Sequence, residues 1–157
     1  LIKKIILLMN LFDTINEEIK KAMLAKDKVR LEALRGIKKE FLEARAAKGA
    51  HNELSNETAV VILQKMAKQR RDSADIYLSQ NRDDLAETEL AQLNVIQEFL
   101  PPQMSPEELE EEVKKIIAEV GATSMKDMGK VMGVATKQLA GKAEGRLISE
   151  VVKRLLG

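Results

Sequence analysis

No cysteine occurs among the 157 residues. That excludes a disulfide scaffold, a thiol nucleophile, cysteine-ligated zinc and an iron–sulfur cluster. Histidine occurs once, as His51, so a multi-histidine metal site or a triad built on two imidazoles cannot be assembled. His51 lies in a polar stretch and reads as an exposed loop residue. Tryptophan is absent, and the aromatic rings are Phe12, Phe41, Tyr77 and Phe99. A surface that reads unstacked bases needs several exposed rings, and these four are expected mostly in cores. No charge of one sign dominates: 26 basic side chains face 25 acidic ones, which excludes a bulk polycation of the histone kind and leaves room for a local basic face. No apolar run approaches the ~20 residues that would cross a bilayer. Proline is confined to positions 101, 102 and 106, and before that point glycine is nearly absent as well.

What remains is helix. Apolar residues recur three and four apart, and no stretch alternates as a strand would. Leu11, Ile15, Ile19, Ala22 and Met23 form one face. Leu31, Leu34, Ile37, Phe41 and Leu42 form another after the polar break Ala25-Lys-Asp-Lys28. Lys48 and Gly49 mark a stop, and Ser55 or Asn56 caps the next helix, which carries Ile62, Leu63, Met66, Tyr77 and Leu78. Asn81-Arg-Asp-Asp84 is a turn and cap before Leu85, Ala86, Leu90, Leu93, Ile96 and Leu100. Pro101-Pro102 ends that pattern. The reading is an all-α chain of two different helical domains. An N-terminal helical bundle spans residues 9–100, a linker 101–106, and a C-terminal three-helix domain 107–157. Residues 1–8, Leu1-Ile-Lys-Lys-Ile-Ile-Leu-Leu8, read as a tail or start-site artefact before Met9, because they have no cleavage site and are too short to span a membrane.

The C-terminal part separates charge by helix. Residues 106–120 hold six glutamates against two lysines; residues 124–157 hold seven basic groups against three acidic ones. Ser105-Pro-Glu-Glu108 has the form of a capping box with proline at the first helical position. A second helix is expected from Ser124, with Met125, Met128, Met132, Ala135 and Leu139 on its apolar side. A third carries Leu147, Ile148, Val151, Val152, Leu155 and Leu156. At 100° per residue Lys126, Lys130 and Lys137 fall within about 40° of one another, with Gly133 in the same stripe. Lys142, Arg146 and Lys153 repeat the spacing on the last helix. Two readings stand side by side: solvated faces opposite the apolar stripes, or stripes that grip phosphates. Gly129-Lys-Val-Met-Gly133 lacks the pattern of a phosphate-cradling loop and reads as permitting close helix packing.

A second candidate is Gln69, Arg70, Arg71, Asp72 and Ser73. The stripe that runs through Ile62 and Met66 and resumes at Ile76 or Tyr77 is expected to be interrupted here by polar residues. Either an arginine of this group pairs with carboxylates near Asp83-Asp84 at the next helix start, or the patch is an interaction groove. No carboxylate pair sits in an apolar context suited to acid–base work, so no catalytic residue, metal ligand or cofactor is predicted.

Taken in order, these segments resemble the GatB/YqeY family, and its small YqeY-like members in particular. The resemblance rests on Asp27-Lys-Val-Arg-Leu-Glu-Ala-Leu-Arg35, Lys68-Gln-Arg-Arg-Asp-Ser-Ala-Asp-Ile-Tyr77 and Asn81-Arg-Asp-Asp-Leu-Ala86. It continues through Glu98-Phe-Leu-Pro-Pro-Gln-Met104, Asp127-Met-Gly-Lys-Val-Met132, Gly141-Lys-Ala-Glu-Gly145 and Val151-Val-Lys-Arg-Leu-Leu156. It covers residues 9–157 collinearly. The glycine-flanked turn departs from the family's usual Gly-Arg-Ala-Asp-Gly, putting a point charge where a planar fork stands. The resemblance implies two α-helical domains, the second similar to the tail of the B subunit of tRNA-dependent amidotransferase, which helps hold tRNA. It implies a cytoplasmic accessory protein without its own catalytic centre. Its partners would be tRNA, held through Lys126, Lys130, Gly133, Lys137, Lys142, Arg146 and Lys153, and an amidotransferase or aminoacyl-tRNA synthetase complex. A docking module for such a complex is the alternative. A carbon–nitrogen ligase using glutamine as amide donor, the activity associated with the family, has no residues here to support it.

Overall fold

A computed structural model of the chain describes residues 10–47 and 53–157. The readings on residues 1–9, Lys48, Gly49 and His51 lie outside the described residues. The described residues form seven α-helices and no strand, so the fold is all-α. The chain divides into two compact units, Leu1–Leu100 and Pro101–Gly157.

In the first unit, α1 (Leu11–Leu24), α2 (Lys28–Ala47), α3 (Asn56–Ser79) and α4 (Asp83–Gln97) follow one another along the chain. Local chemistry sets the boundaries. Asn10 accepts the Asp13 N–H through its side chain at 2.8 Å, and Ser55 accepts that of Thr58 at 3.2 Å, satisfying amides that have no partner within the helix. The Asn56 side-chain oxygen accepts the Leu11 N–H at 2.8 Å, which ties the start of α3 to the start of α1. The core gathers Leu11, Ile15, Leu34, Ile37, Phe41, Leu63, Ile96 and Phe99, each 1% exposed or less. Burying side chains of this size contributes about 1.5–3 kcal/mol apiece. The periodic faces are too wide in places: Met23, Leu42, Leu78 and Leu90 are exposed, because a helix packed on one side buries only a stripe and a residue just off it meets water.

One charged group enters this core. Glu18 lies on the apolar face of α1 and is 6% exposed. Arg30 from α2 donates to it at 3.2 Å and also pairs with Glu98 beyond the end of α4. Burial works against the Arg30 charge, and the carboxylates of Glu98 and Glu18 outweigh it, holding the guanidinium above its usual range. Lys21 adds an ion pair to Glu18 at 3.3 Å. Three helical segments are fixed by one arginine, whose planar fork can serve two carboxylates at once.

In the second unit, α5 (Pro106–Val120), α6 (Met128–Gln138) and α7 (Gly145–Leu156) pack around Leu109, Val113, Ile116, Val131, Ala135, Ile148 and Val152. Ser105 accepts the Glu108 N–H at 3.1 Å, with Pro106 at the first position. Gly121 closes α5 in the left-handed region, φ 68°, which glycine adopts at no steric cost. The second helix does not begin at Ser124 as an α-helix. Met125–Asp127 is a 3₁₀ turn, and the α-helix starts at Met128. Ser124 and Asp127 explain this, because both fold back on the local backbone: the Asp127 carboxylate accepts the Thr123 N–H at 3.0 Å. Such bonds compete with helical pairing. Met125 is consequently exposed, as is Leu147 at the start of α7.

Candidate nucleic-acid interface

Lys130 and Lys137 stand on the exposed side of α6, about 20° apart on the helical wheel. Buried Val131 and Ala135 face the other way. The two glycines of α6, Gly129 and Gly133, lie beside them, and a Cβ built on either meets nothing within 4 Å. The expectation that these glycines permit close helix packing is therefore corrected within the second unit: none of its other helices comes within 4 Å of a Cβ placed there. Glycine inside a helix costs up to about 1 kcal/mol relative to alanine, and nothing within the unit requires it here. The α6 strip is thus a low, smooth surface edged by two cations.

Other members of the predicted set are placed differently. Lys126 is exposed but belongs to the 3₁₀ turn, so its position does not follow the 100° α-helical step. Lys142 is not on the last helix, which begins at Gly145; it projects from the turn between α6 and α7. Arg146 and Lys153 are exposed on α7, opposite buried Ile148 and Val152. Arg146 comes within 3.9 Å of Glu150, and Glu150 stands about 40° from Arg146 on the wheel, one turn along the same face, which weakens the α7 stripe. Arg154 reaches Glu110 of α5 at 3.3 Å. Asp127, one turn before Lys130, is held below the usual carboxylate range, chiefly by the Thr123 amide; desolvation opposes this, and the Ser124 amide and Lys130 add to the lowering. A negative charge therefore sits near one of the candidate cations.

The turn carrying Lys142 is built from backbone bonds. Gly141 and Ala143 are buried while Lys142 between them is exposed. Gly141 takes φ 79°, a left-handed conformation that favours glycine. Beside α5 and α7 an apolar cavity of about 460 Å³ opens, lined by Met104, Pro106, Leu109, Leu147 and Val151 with Glu150 and Arg154 at its edge. Its lining contains no nucleophile–base pair. Among the described residues no group of three acidic or imidazole side chains is gathered as a metal ligand set.

In the patch on α3, Arg70 takes part in helix packing. Arg70 pairs with Glu89 at 3.0 Å, not with Asp83 or Asp84. The reason is geometric. In an antiparallel hairpin whose turn lies near Asn81, a residue about ten before the turn meets one about as far after it. Asp84 is taken by Arg82 at 3.3 Å. Lys68 pairs with Asp72 at 2.6 Å, and Arg71 also has a partner. The buried stripe of α3 runs through Leu63, Met66 and Ala67, is interrupted where half-buried Arg70, Arg71 and Ser73 stand, and resumes at Ala74; Ile76 is 56% exposed. Small alanines carry the packing and left only a faint signal against the neighbouring charges. Gln69 is exposed and Ser73 half-buried; Gln69 borders a shallow hollow with Glu40, Glu43 and Lys65.

Sequence reasoning passed over Glu18 and Gln103. Glu18 had a signal: a carboxylate three and four residues from Ile15 and Ala22 on an apolar face. Gln103 had none, since the Gly141 carbonyl it bonds lies almost forty residues away in the chain.

The comparisons with known proteins agree with the segment order. The family model described as Yqey-like protein matches residues 12–156. The chain is 33% identical over 124 residues to a protein of Vanderwaltozyma polyspora named altered inheritance of mitochondria protein 41, mitochondrial; the match covers 73% of this chain and 64% of the relative. The protein of the same name from Clavispora lusitaniae is 31% identical over 131 residues, 82% of this chain and 74% of that one. The chain thus spans roughly two thirds of the length of these relatives. No described helix is long and apolar enough to cross a membrane. With a family model matched over nearly its whole length, the chain belongs to the YqeY-like family.

Proposed function

We propose that the chain is a non-catalytic accessory protein of tRNA metabolism whose C-terminal unit holds the tRNA backbone. The observation that carries this reading is the exposed strip of α6, where Gly129 and Gly133 leave open space beside Lys130 and Lys137. A phosphate backbone needs close approach and cations at its edge, and this strip offers both. The second unit also contains no aromatic residue, so stacking on unpaired bases is not its mode; binding to phosphate and ribose is. Lys142 and Arg146 extend the basic surface, and Lys126 and Lys153 are its outer members. The resemblance to the amidotransferase tail supports a link to tRNA-dependent amidation, with a complex of that kind or a synthetase complex as protein partner. A cytoplasmic location belongs to the same proposal; the named relatives are mitochondrial proteins, and imaging a tagged chain in its own cell decides the compartment.

The test is a tRNA titration by fluorescence anisotropy across salt concentrations, with an unrelated duplex RNA as competitor. Binding that survives the competitor, with a log–log salt slope of about −2 to −5, supports the reading. Charge reversal at Lys130 and Lys142 together should weaken binding by at least ~1 kcal/mol for each phosphate interaction removed. Wild-type affinity in that double variant, or binding that disappears at physiological salt, overturns it.

A further inference from the structure

Among the candidate cations, Lys142 is singled out by how its backbone is held. Its N–H donates to the Leu139 carbonyl at 3.0 Å, and its own carbonyl accepts the Met104 N–H at 2.9 Å. The preceding carbonyl, that of Gly141, accepts a hydrogen bond from Nε2 of Gln103 at 2.8 Å. The same Nε2 donates to the Pro101 carbonyl at 2.9 Å. One amide group therefore spans two carbonyls, one in the segment Pro101–Met104 and one in the turn before α7. The orientation of the amide is chemically determined, because an oxygen in place of Nε2 would face two carbonyl oxygens with no proton between them.

We propose that Gln103 is a positioning residue for phosphate binding: it clamps the Gly141–Ala143 turn so that Lys142 is presented in one place. This rests on the tRNA reading above and goes beyond it by naming a residue that itself touches no phosphate. A lysine on a mobile turn loses backbone as well as side-chain freedom when it binds, whereas a clamped one loses only the side chain. With both its peptide groups bonded and both neighbours buried, Lys142 is preorganised as no lysine on a free loop would be. Gly141 completes the clamp, since it supplies the carbonyl that Gln103 holds and takes the turn's left-handed φ without steric cost.

The experiment uses the full chain with unfractionated tRNA, comparing wild type, Gln103→Ala, Lys142→Ala and the double variant. Gln103→Ala is expected to lower affinity by about five- to tenfold and to reduce the salt slope by about one, as Lys142→Ala does. A change in salt slope from replacing an uncharged side chain is the signature of positioning a cation; a merely structural glutamine would lower the melting temperature and leave the slope alone. In the double variant the reduction should be no larger than in Lys142→Ala alone. Amide exchange at Lys142 and Met104 should accelerate in Gln103→Ala without tRNA. Gln103→Glu, which sets a carboxylate against two carbonyls, should reproduce the alanine result. If wild type binds tRNA while Gln103→Ala keeps the full slope, or if the two single effects add, this inference fails alone. If wild type binds no tRNA, the functional reading fails with it, and the exchange data then report the clamp by itself.

Discussion

Arg30 of the first unit reaches Glu18 on one helix and Glu98 beyond another, and Arg70 joins α3 to α4 through Glu89. In the second unit the ion pairs run mostly along single helices, Lys114 to Glu110, Lys115 to Glu112, Arg146 to Glu150, while exposed Arg154–Glu110 bridges two. The buried polar side chains among the described residues, Thr14 and Glu18, both belong to the first unit. The four aromatic rings belong to it as well. The larger unit thus uses two arginines, Arg30 and Arg70, to fix helix positions, beside local pairs such as Lys20–Glu17 and Lys39–Glu43. The smaller one is held by aliphatic packing and leaves its cations on the surface, where exposed pairs contribute only about 0–1 kcal/mol. A surface whose charges have little structural duty is a surface on which they can serve recognition, which is why the functional proposal falls on the second unit.

The largest expected effects test the two cores. Phe41→Ala should cost the first unit about 3–5 kcal/mol and Ile116→Ala the second about 2–5 kcal/mol. The single tyrosine, Tyr77 on α3, reports urea unfolding of the first unit, and amide exchange within α5–α7 reports the second. Next comes the clasp. Arg30→Met should destabilise by about 1–3 kcal/mol because it leaves the buried Glu18 carboxylate with only the exposed Lys21 as ion-pair partner, less than for a fully buried pair since Lys21 remains and Arg30 keeps some water. Pairing it with Glu18→Leu should restore most of that stability, because the carboxylate no longer needs a partner. If the double variant is as unstable as the single one, the contrast drawn between the units is wrong. The glycines sharpen the contrast further. Gly129→Ala and Gly133→Ala should each stabilise by about 0.5–1 kcal/mol and weaken tRNA binding. Gly36→Ala in α2, where an added Cβ also meets nothing within 4 Å, should stabilise similarly and leave binding unchanged. Equal behaviour of all three in the binding assay would remove the case for a close-approach surface on α6.

The smallest effect is a pH dependence at Asp127. Its folded carboxyl titrates below the unfolded value, so its contribution to stability is present at neutral pH and is lost as pH falls below about 4 and through the folded pKa. The carboxyl carbon shift, followed by NMR, should show a midpoint below that of an ordinary aspartate, and Asp127→Asn should remove that part of the acid dependence.

Much of the fold was legible because helices are local. The 3.6-residue spacing of Leu109, Val113 and Ile116, the Ser105-Pro-Glu-Glu start and the Gly121 stop each act within a few residues, and the structure has them where the pattern puts them. The breaks at Ala25–Lys28 and Asn81–Asp84 are legible for the same reason. Less of the candidate site was legible. Lys130 and Lys137 share a face by helical geometry alone, whereas Lys126 and Lys142 were assigned to helices that begin after them. A 3₁₀ turn and a clamped loop depend on which backbone groups find partners, and spacing does not encode that.

The sequence by itself determined that this chain is all-α, where most of its helices start and stop, and which family it belongs to, since each of these follows from local pattern or ordered motif. Only the tertiary structure decided that Arg70 takes Glu89, that Glu18 is buried against Arg30, that Gly129 and Gly133 face open space, and that Gln103 holds the Lys142 turn. Each of those depends on residues brought together from distant parts of the chain, and a buried or bridging polar group is satisfied by whatever packing places beside it.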